Sequence, residues 1–120
     1  MKMPISEIID RFTITKLKSE RTNENVEHEL TCYMQEISSY KINLENYIDR
    51  MYDINGKIWD TEGDIRKGTD LPLEEIGKLA LKVRDLNCDR NAIKAEIVDK
   101  FSEGFKEIKI NYKKNNYGRV

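Results

Sequence analysis

The sequence is poor in the residues that mark tight turns and membrane spans. Six glycines and two prolines in 120 residues are few for a many-turned β sandwich or barrel, so a few long helices are expected. No apolar run approaches the roughly 20 residues of a membrane-spanning helix. The start of the chain also lacks the apolar core of a signal peptide, usually about 7 to 15 residues long. These absences predict a soluble, cytoplasmic protein with no membrane association.

Scarce cysteine and histidine narrow the chemistry further. The two cysteines, Cys32 and Cys88, belong to no CxxC pair, and His28 is the only histidine. This pattern predicts two reduced, partly buried thiols and neither a metal site nor a cofactor. Proteins that bind the phosphate backbone of DNA or RNA usually carry an excess of basic residues. The net charge here is −1, so nucleic acid is not an expected partner.

What is present is helical periodicity. A first apolar stripe predicts a helix from about Ile5 to Arg21, with Ser6 as its N-cap. From there an apolar residue recurs every seven positions, at Leu30, Ile37, Leu44, Met51, Ile58 and Ile65. This repeat predicts one second helix of about 40 residues with a coiled-coil-like seam. Because the repeat passes through Gly56 and Gly63 without slipping, we expect that helix to be continuous there.

Stop signals at 67–72, including Gly68 as a C-terminal cap, precede a third helix predicted to start near Leu73. Residues 105–112 fit either a frayed extension or a short strand. The predicted fold is all-α: a three-helix antiparallel arrangement with a long helical hairpin, in one domain at 1–112 followed by a basic tail at 113–120.

Two sets of residues on the hairpin are candidate functional groups. The first set is polar and lies on or beside the apolar stripes: Asn55, Glu62, Asn87, Arg90 and Lys94. Such a buried layer commonly fixes helix register; the alternative is a site for a small anion. The second set is an apolar stripe that two helices alone leave uncovered: Tyr47, Met51, Ile54, Ile58, Trp59 and Ile65. It predicts a homodimer that completes a four-helix bundle; the alternative is a monomer whose tail and first helix fold over the stripe.

Several segments, in this order, resemble a helical family of bacteria and their phages. They read SEIIDRFTI at 6–14, KSER at 18–21, N at 55, IWDTE at 58–62, IR at 65–66 and NCDRNAIK at 87–94. The chain departs from the family pattern at Cys88, which splits an asparagine-aspartate pair, and at Gly63, where an acid is usual. The resemblance implies no established activity. Because relatives often lie near glycosyltransferase or surface-polysaccharide genes, it suggests a link to surface-polysaccharide or phage-host functions.

These observations favour a helical assembly or interaction module, a homodimer with a possible further protein partner, over an enzyme. The alternative function is a protein that binds a small anion or a sugar nucleotide, or an all-α enzyme. In either case its polar site would lie between the second and third predicted helices.

Overall fold

The computed structural model describes residues 3–67 and 70–101 and shows four α-helices, with no strand among those residues. They are α1 (Ile5–Arg21), α2 (Glu27–Ser38), α3 (Glu45–Lys67) and α4 (Leu73–Phe101). The predicted all-α class is confirmed. The predictions for Gly68, for 105–112 and for the tail at 113–120 lie outside the described residues.

Helix α1 begins and ends where its apolar stripe predicted, but its N-cap differs. The cap residue is Pro4, whose carbonyl accepts hydrogen bonds from the N–H groups of Glu7 (3.1 Å) and Ile8 (3.0 Å). Ser6, the predicted cap, is buried within the first turn. Proline is suited to a helix start because it supplies a carbonyl and has no N–H group to satisfy.

The predicted second helix is two helices, and the prediction of a continuous helix is wrong at residues 39–44. Ser39 Oγ donates to the backbone carbonyl of Glu36 (2.6 Å), just beyond the end of α2. Asn43 Oδ1 then accepts the N–H of Glu45 (2.9 Å), the first residue of α3. Short polar side chains compete for backbone groups in this way and favour helix ends over helix interiors.

The heptad repeat did not reveal this break because the repeat positions on both sides of the break still face the core. Ile37 packs against the core, and Leu44 is buried in it, although the backbone between them is not helical. Beyond the break, α3 runs without interruption through Gly56 and Gly63, as predicted.

The core lies between α1, α3 and the C-terminal half of α4. Helix α3 packs against both α1 and α4, and α1 also contacts α2 and α4. The main core cluster contains Ile5, Ile9, Leu44, Met51, Ile54, Ile58, Ile93 and Ile97. On the surface, Arg50 donates two hydrogen bonds (2.9 and 2.7 Å) to the Glu96 carboxylate and so links α3 to α4.

Candidate functional site

A cluster of polar side chains joins the three core helices, and Asp10 of α1 lies at its centre. The Asp10 side chain is only 2% exposed. Its two carboxylate oxygens accept hydrogen bonds from one guanidinium: Arg90 Nε donates to Oδ1 (3.0 Å) and Arg90 Nη2 donates to Oδ2 (2.6 Å). Bidentate pairing of this kind is among the strongest side-chain interactions and fixes the geometry of both groups.

Asn55 connects the same carboxylate to α3. Its Nδ2 donates to Asp10 Oδ1 and to Thr13 Oγ1, both at 2.9 Å. Thr13 Oγ1 in turn donates to the backbone carbonyl of Asp10 (2.8 Å). Both Nδ2 hydrogens of Asn55 are therefore used, whereas its Oδ1 accepts no side-chain hydrogen bond within the described part of the chain.

Lys94 completes the cluster one turn beyond Arg90. Its Nζ lies 2.8 Å from Glu7 Oε1 and 3.5 Å from Asp10 Oδ2. At the surface, the half-exposed Arg11 also pairs with Glu7 Oε2 (3.2 Å). Apart from Arg11, the cluster holds two carboxylates and two basic groups, so its inner charges balance, which is the main requirement for placing ionised groups in a protein interior.

The electrostatics agree with this geometry. Burial alone would raise the pKa of Asp10, but hydrogen bonds from Arg90 and Asn55, with the charges of Arg90 and Lys94, outweigh it and hold that pKa below its ordinary value. The hydrogen bond from Lys94 likewise lowers the pKa of Glu7, and the hydrogen bond to Asp10 raises the pKa of Arg90. Both carboxylates are therefore held ionised at neutral pH.

The structure brings together most of the polar layer that the sequence predicted. Asn55, Arg90 and Lys94 all bind Asp10, and Asn87 Oδ1 accepts a hydrogen bond from Arg90 Nη1 (3.3 Å). Glu62 takes no part in the cluster, because its side chain is exposed at the edge of a neighbouring cleft.

Sequence reasoning missed the centre of the cluster, which comes from α1. A signal for it exists in the spacing: Ser6, Asp10 and Thr13 follow one another at intervals of four and three and are all buried. A polar stripe at helical spacing marks a second inward-facing strip beside the apolar one. Its three short polar side chains indicate that α1 contributes to a polar contact as well as to the core.

The neighbouring cleft has a volume of about 300 Å³ and lies between α1, α3 and α4. It is lined by Ile14, Leu17, Asn55, Ile58, Trp59, Glu62, Asn87 and Arg90. Four of the five predicted polar residues therefore line one cavity.

The apolar stripe predicted as a dimer interface is largely covered within the single chain. Met51, Ile54 and Ile58 are buried in the core, because α1 and α4 both pack on α3. These three residues offer no surface to a partner, which corrects the argument that only a second copy could cover them. Tyr47, Trp59 and Ile65 remain partly exposed, and the Tyr47 ring packs edge-on against Phe101 with centroids 5.7 Å apart.

A different surface is left open near the N-terminal end of α4. Leu73 is 86% exposed and Leu81 is 52% exposed. Gly77 and Ala80 lie between them on the same side and are also exposed. We call these four residues the outer α4 face. Among the described residues from 62 to 92 none is buried, so the outer part of the hairpin adds no residue to the buried core.

The remaining candidate groups are the two cysteines and the acidic side chains. Cys32 and Cys88 are free, and both are exposed rather than partly buried as predicted. Within residues 3–67 and 70–101, no three His, Cys, Asp or Glu side chains are grouped so that they could hold a metal ion. Nor does any helix there combine the length and apolar character that a membrane span needs.

Comparison with known proteins adds no family to this geometry. The chain matches no protein-family model, and no curated protein and no solved structure is significantly similar to it. The resemblance to a bacterial and phage family stays a prediction. The function is therefore inferred from the polar cluster and the outer α4 face.

Proposed function

We propose that the protein is a helical assembly module that forms a homodimer through the outer α4 face. The observation that carries this proposal is the exposure of Leu73 and Leu81, eight residues apart on one side of α4. Burying a leucine side chain is worth about 1.5 to 3 kcal/mol, so a surface that leaves both in water gains from a partner.

The charge-balanced cluster supports a structural role for the rest of the chain. Because Asp10 binds groups from both α3 and α4, it fixes the position of α1 across the hairpin. Hydrogen-bonded buried polar groups favour one packing arrangement. The cluster therefore supports a single position of α1 against the part of the hairpin that contains Asn55 and Arg90.

A second copy of the chain suits this face, because its pattern is symmetric about Gly77. When two α4 helices cross antiparallel at Gly77, Leu73 of one copy lies opposite Leu81 of the other, since each is four residues from the crossing point. A Cβ added at Gly77 would meet nothing within 4 Å in the single chain. The glycine thus leaves room for close approach of two backbones at the centre of a two-fold interface.

Sedimentation equilibrium of the full chain tests the proposal. Standard protein–protein interfaces bury at least about 1,200 Å² of accessible surface. A contact through one helix of each copy buries less, so the dimer should dissociate on dilution. Leu81→Glu should shift the protein to monomer. Met34→Glu on α2 is the matched control, since Met34 is also 52% exposed, and it should leave the dimer intact. A wild-type protein that stays monomeric at several hundred micromolar contradicts the proposal.

As a cytoplasmic protein of bacterial or phage origin, such a dimer would serve as a scaffold. The resemblance supports a link of that scaffold to surface-polysaccharide or phage-host functions. A further protein partner would then bind a surface other than the outer α4 face.

A further inference from the structure

The cleft beside Arg90 combines an apolar floor with unused hydrogen-bonding groups. Ile14, Leu17 and Ile58 supply the apolar side chains, and Trp59 supplies an aromatic ring. Its volume of about 300 Å³ lies at the small end of ligand pockets, which span about 300 to 1,000 Å³. A compact ligand fits this space.

The charge of the cleft favours a cation. Arg90 lines it, but the guanidinium is paired at two nitrogens with Asp10, so its charge is balanced inside the protein. Glu62 also lines the cleft, is exposed, and forms no ion pair with any described residue. An anion would meet this carboxylate and a guanidinium already bound to Asp10, whereas a cation would meet an unpaired carboxylate.

Asn55 adds a hydrogen-bond acceptor to the lining. The residue is only 6% exposed, and both Nδ2 hydrogens are donated to Asp10 and Thr13. Its Oδ1 has no donor among the described residues, but this oxygen is not fully buried. It can therefore accept a hydrogen bond from a molecule bound in the cleft.

We propose that this cleft binds a primary ammonium group carried on a compact apolar body. An ammonium has three N–H donors and no acceptor, which suits the Glu62 carboxylate and the Asn55 Oδ1. The apolar body packs against Ile14, Leu17 and Ile58, and the Trp59 ring adds attraction for a cation near its face. This inference does not rest on the homodimer, because α4 contributes Asn87 and Arg90 to the cleft, whereas the outer α4 face ends at Leu81.

Trp59 is the only tryptophan in the chain, so its fluorescence and its indole N–H resonance report directly on the cleft. We would titrate the full-length protein at pH 7 and low salt with phenethylammonium, and in parallel with 2-phenylethanol and 3-phenylpropionate. These three probes share the apolar body and differ in the polar group. The ammonium should bind at least several-fold more tightly than the alcohol or the carboxylate.

Two matched variants separate a specific contact from the overall charge of the protein. Glu62→Gln removes the carboxylate at the cleft and should weaken phenethylammonium binding about three- to fivefold, the upper part of the range for exposed ion pairs. Glu45→Gln makes the same change at an exposed position at the start of α3 and should leave binding unchanged. Equal weakening by both variants, equal binding of the three probes, or no change at Trp59 up to 20 mM would each overturn the proposal.

Discussion

Replacing Asp10 by asparagine is the sharpest perturbation of the polar cluster, because it changes the charge and leaves the shape almost unaltered. In the wild type one carboxylate accepts from Arg90, Asn55 and Lys94. An asparagine keeps one acceptor oxygen and replaces the other by an NH₂ group. A donor then faces the donors of Arg90 and Lys94, and the charge of Arg90 loses its partner.

The expected cost follows from burial. The Asp10 side chain is almost wholly excluded from water, and breaking one partner out of a buried ion pair costs about 3 to 5 kcal/mol. We expect Asp10→Asn to lower the free energy of unfolding by about 3 kcal/mol, the lower end of this range, because one acceptor remains. The free energy of unfolding of a domain is about 5 to 15 kcal/mol, so the variant should lose a large share of its stability. Its Tm should fall by about 12 °C.

Urea unfolding at pH 7, followed by circular dichroism and Trp59 fluorescence, measures this difference. Both proteins must be compared at one low concentration, since dimerisation would add stability. Asp53→Asn is the control: Asp53 is exposed and pairs with Lys57 at 3.1 Å, so its loss should cost under about 0.5 kcal/mol. If Asp10→Asn loses less than about 1 kcal/mol, Asp10 does not organise the fold.

Three further outcomes are expected. The pKa values of Asp10 and Glu7 in the folded protein lie below the ordinary 3.8 and 4.5. Ionisation of both carboxylates therefore stabilises the fold at pH values above these ordinary pKa values, and this stabilisation is lost as the pH falls through the pKa values of the folded protein. Unfolding free energy measured from about pH 5 to pH 2 should therefore fall more steeply for the wild type than for Asp10→Asn. Gly77→Ala should raise the stability of a dilute monomer sample by about 0.5 to 1 kcal/mol in urea unfolding, since its space is open and alanine favours a helix; a loss of stability would show that this backbone is not helical. Asn43→Ala should cost about 1 kcal/mol by removing the acceptor at the start of α3, and an unchanged urea midpoint would mean that the break at residues 39–44 does not depend on it.

The sequence predicted local features better than contacts between distant segments. Helix α1 and the start of α4 were predicted correctly because apolar spacing and flanking polar residues mark them directly. The break at 39–44 escaped notice because heptad spacing records which residues face the core, and Ile37 and Leu44 both do so. Side chain–backbone hydrogen bonds of Ser39 and Asn43 flank the break, and hydrophobic periodicity does not reveal such bonds.

The difference between local features and long-range contacts also explains which residues of the polar cluster the sequence predicted. Arg90, Asn55 and Lys94 were recognisable because each interrupts or borders an apolar stripe on its own helix. Asp10 pairs with Arg90 across 80 residues of chain, and a contact of that range depends on where α1 crosses the hairpin. The burial of Met51, Ile54 and Ile58 by α1 and α4 has the same origin, so a stripe that looked free in sequence is core in the structure.

Disulfide cross-linking at residue 77 tests the proposed assembly most directly. In a dimer that crosses at Gly77, the two copies of this position face each other near the two-fold axis, within the about 4.4 to 6.8 Å between Cα atoms that a disulfide spans. The exposed native thiols Cys32 and Cys88 would first be replaced by serine, and Gly77→Cys would be compared with Lys82→Cys on a different side of α4. We expect rapid formation of a covalent dimer by Gly77→Cys under mild oxidation, and little by Lys82→Cys. Equal rates for the two variants would contradict pairing through the outer α4 face.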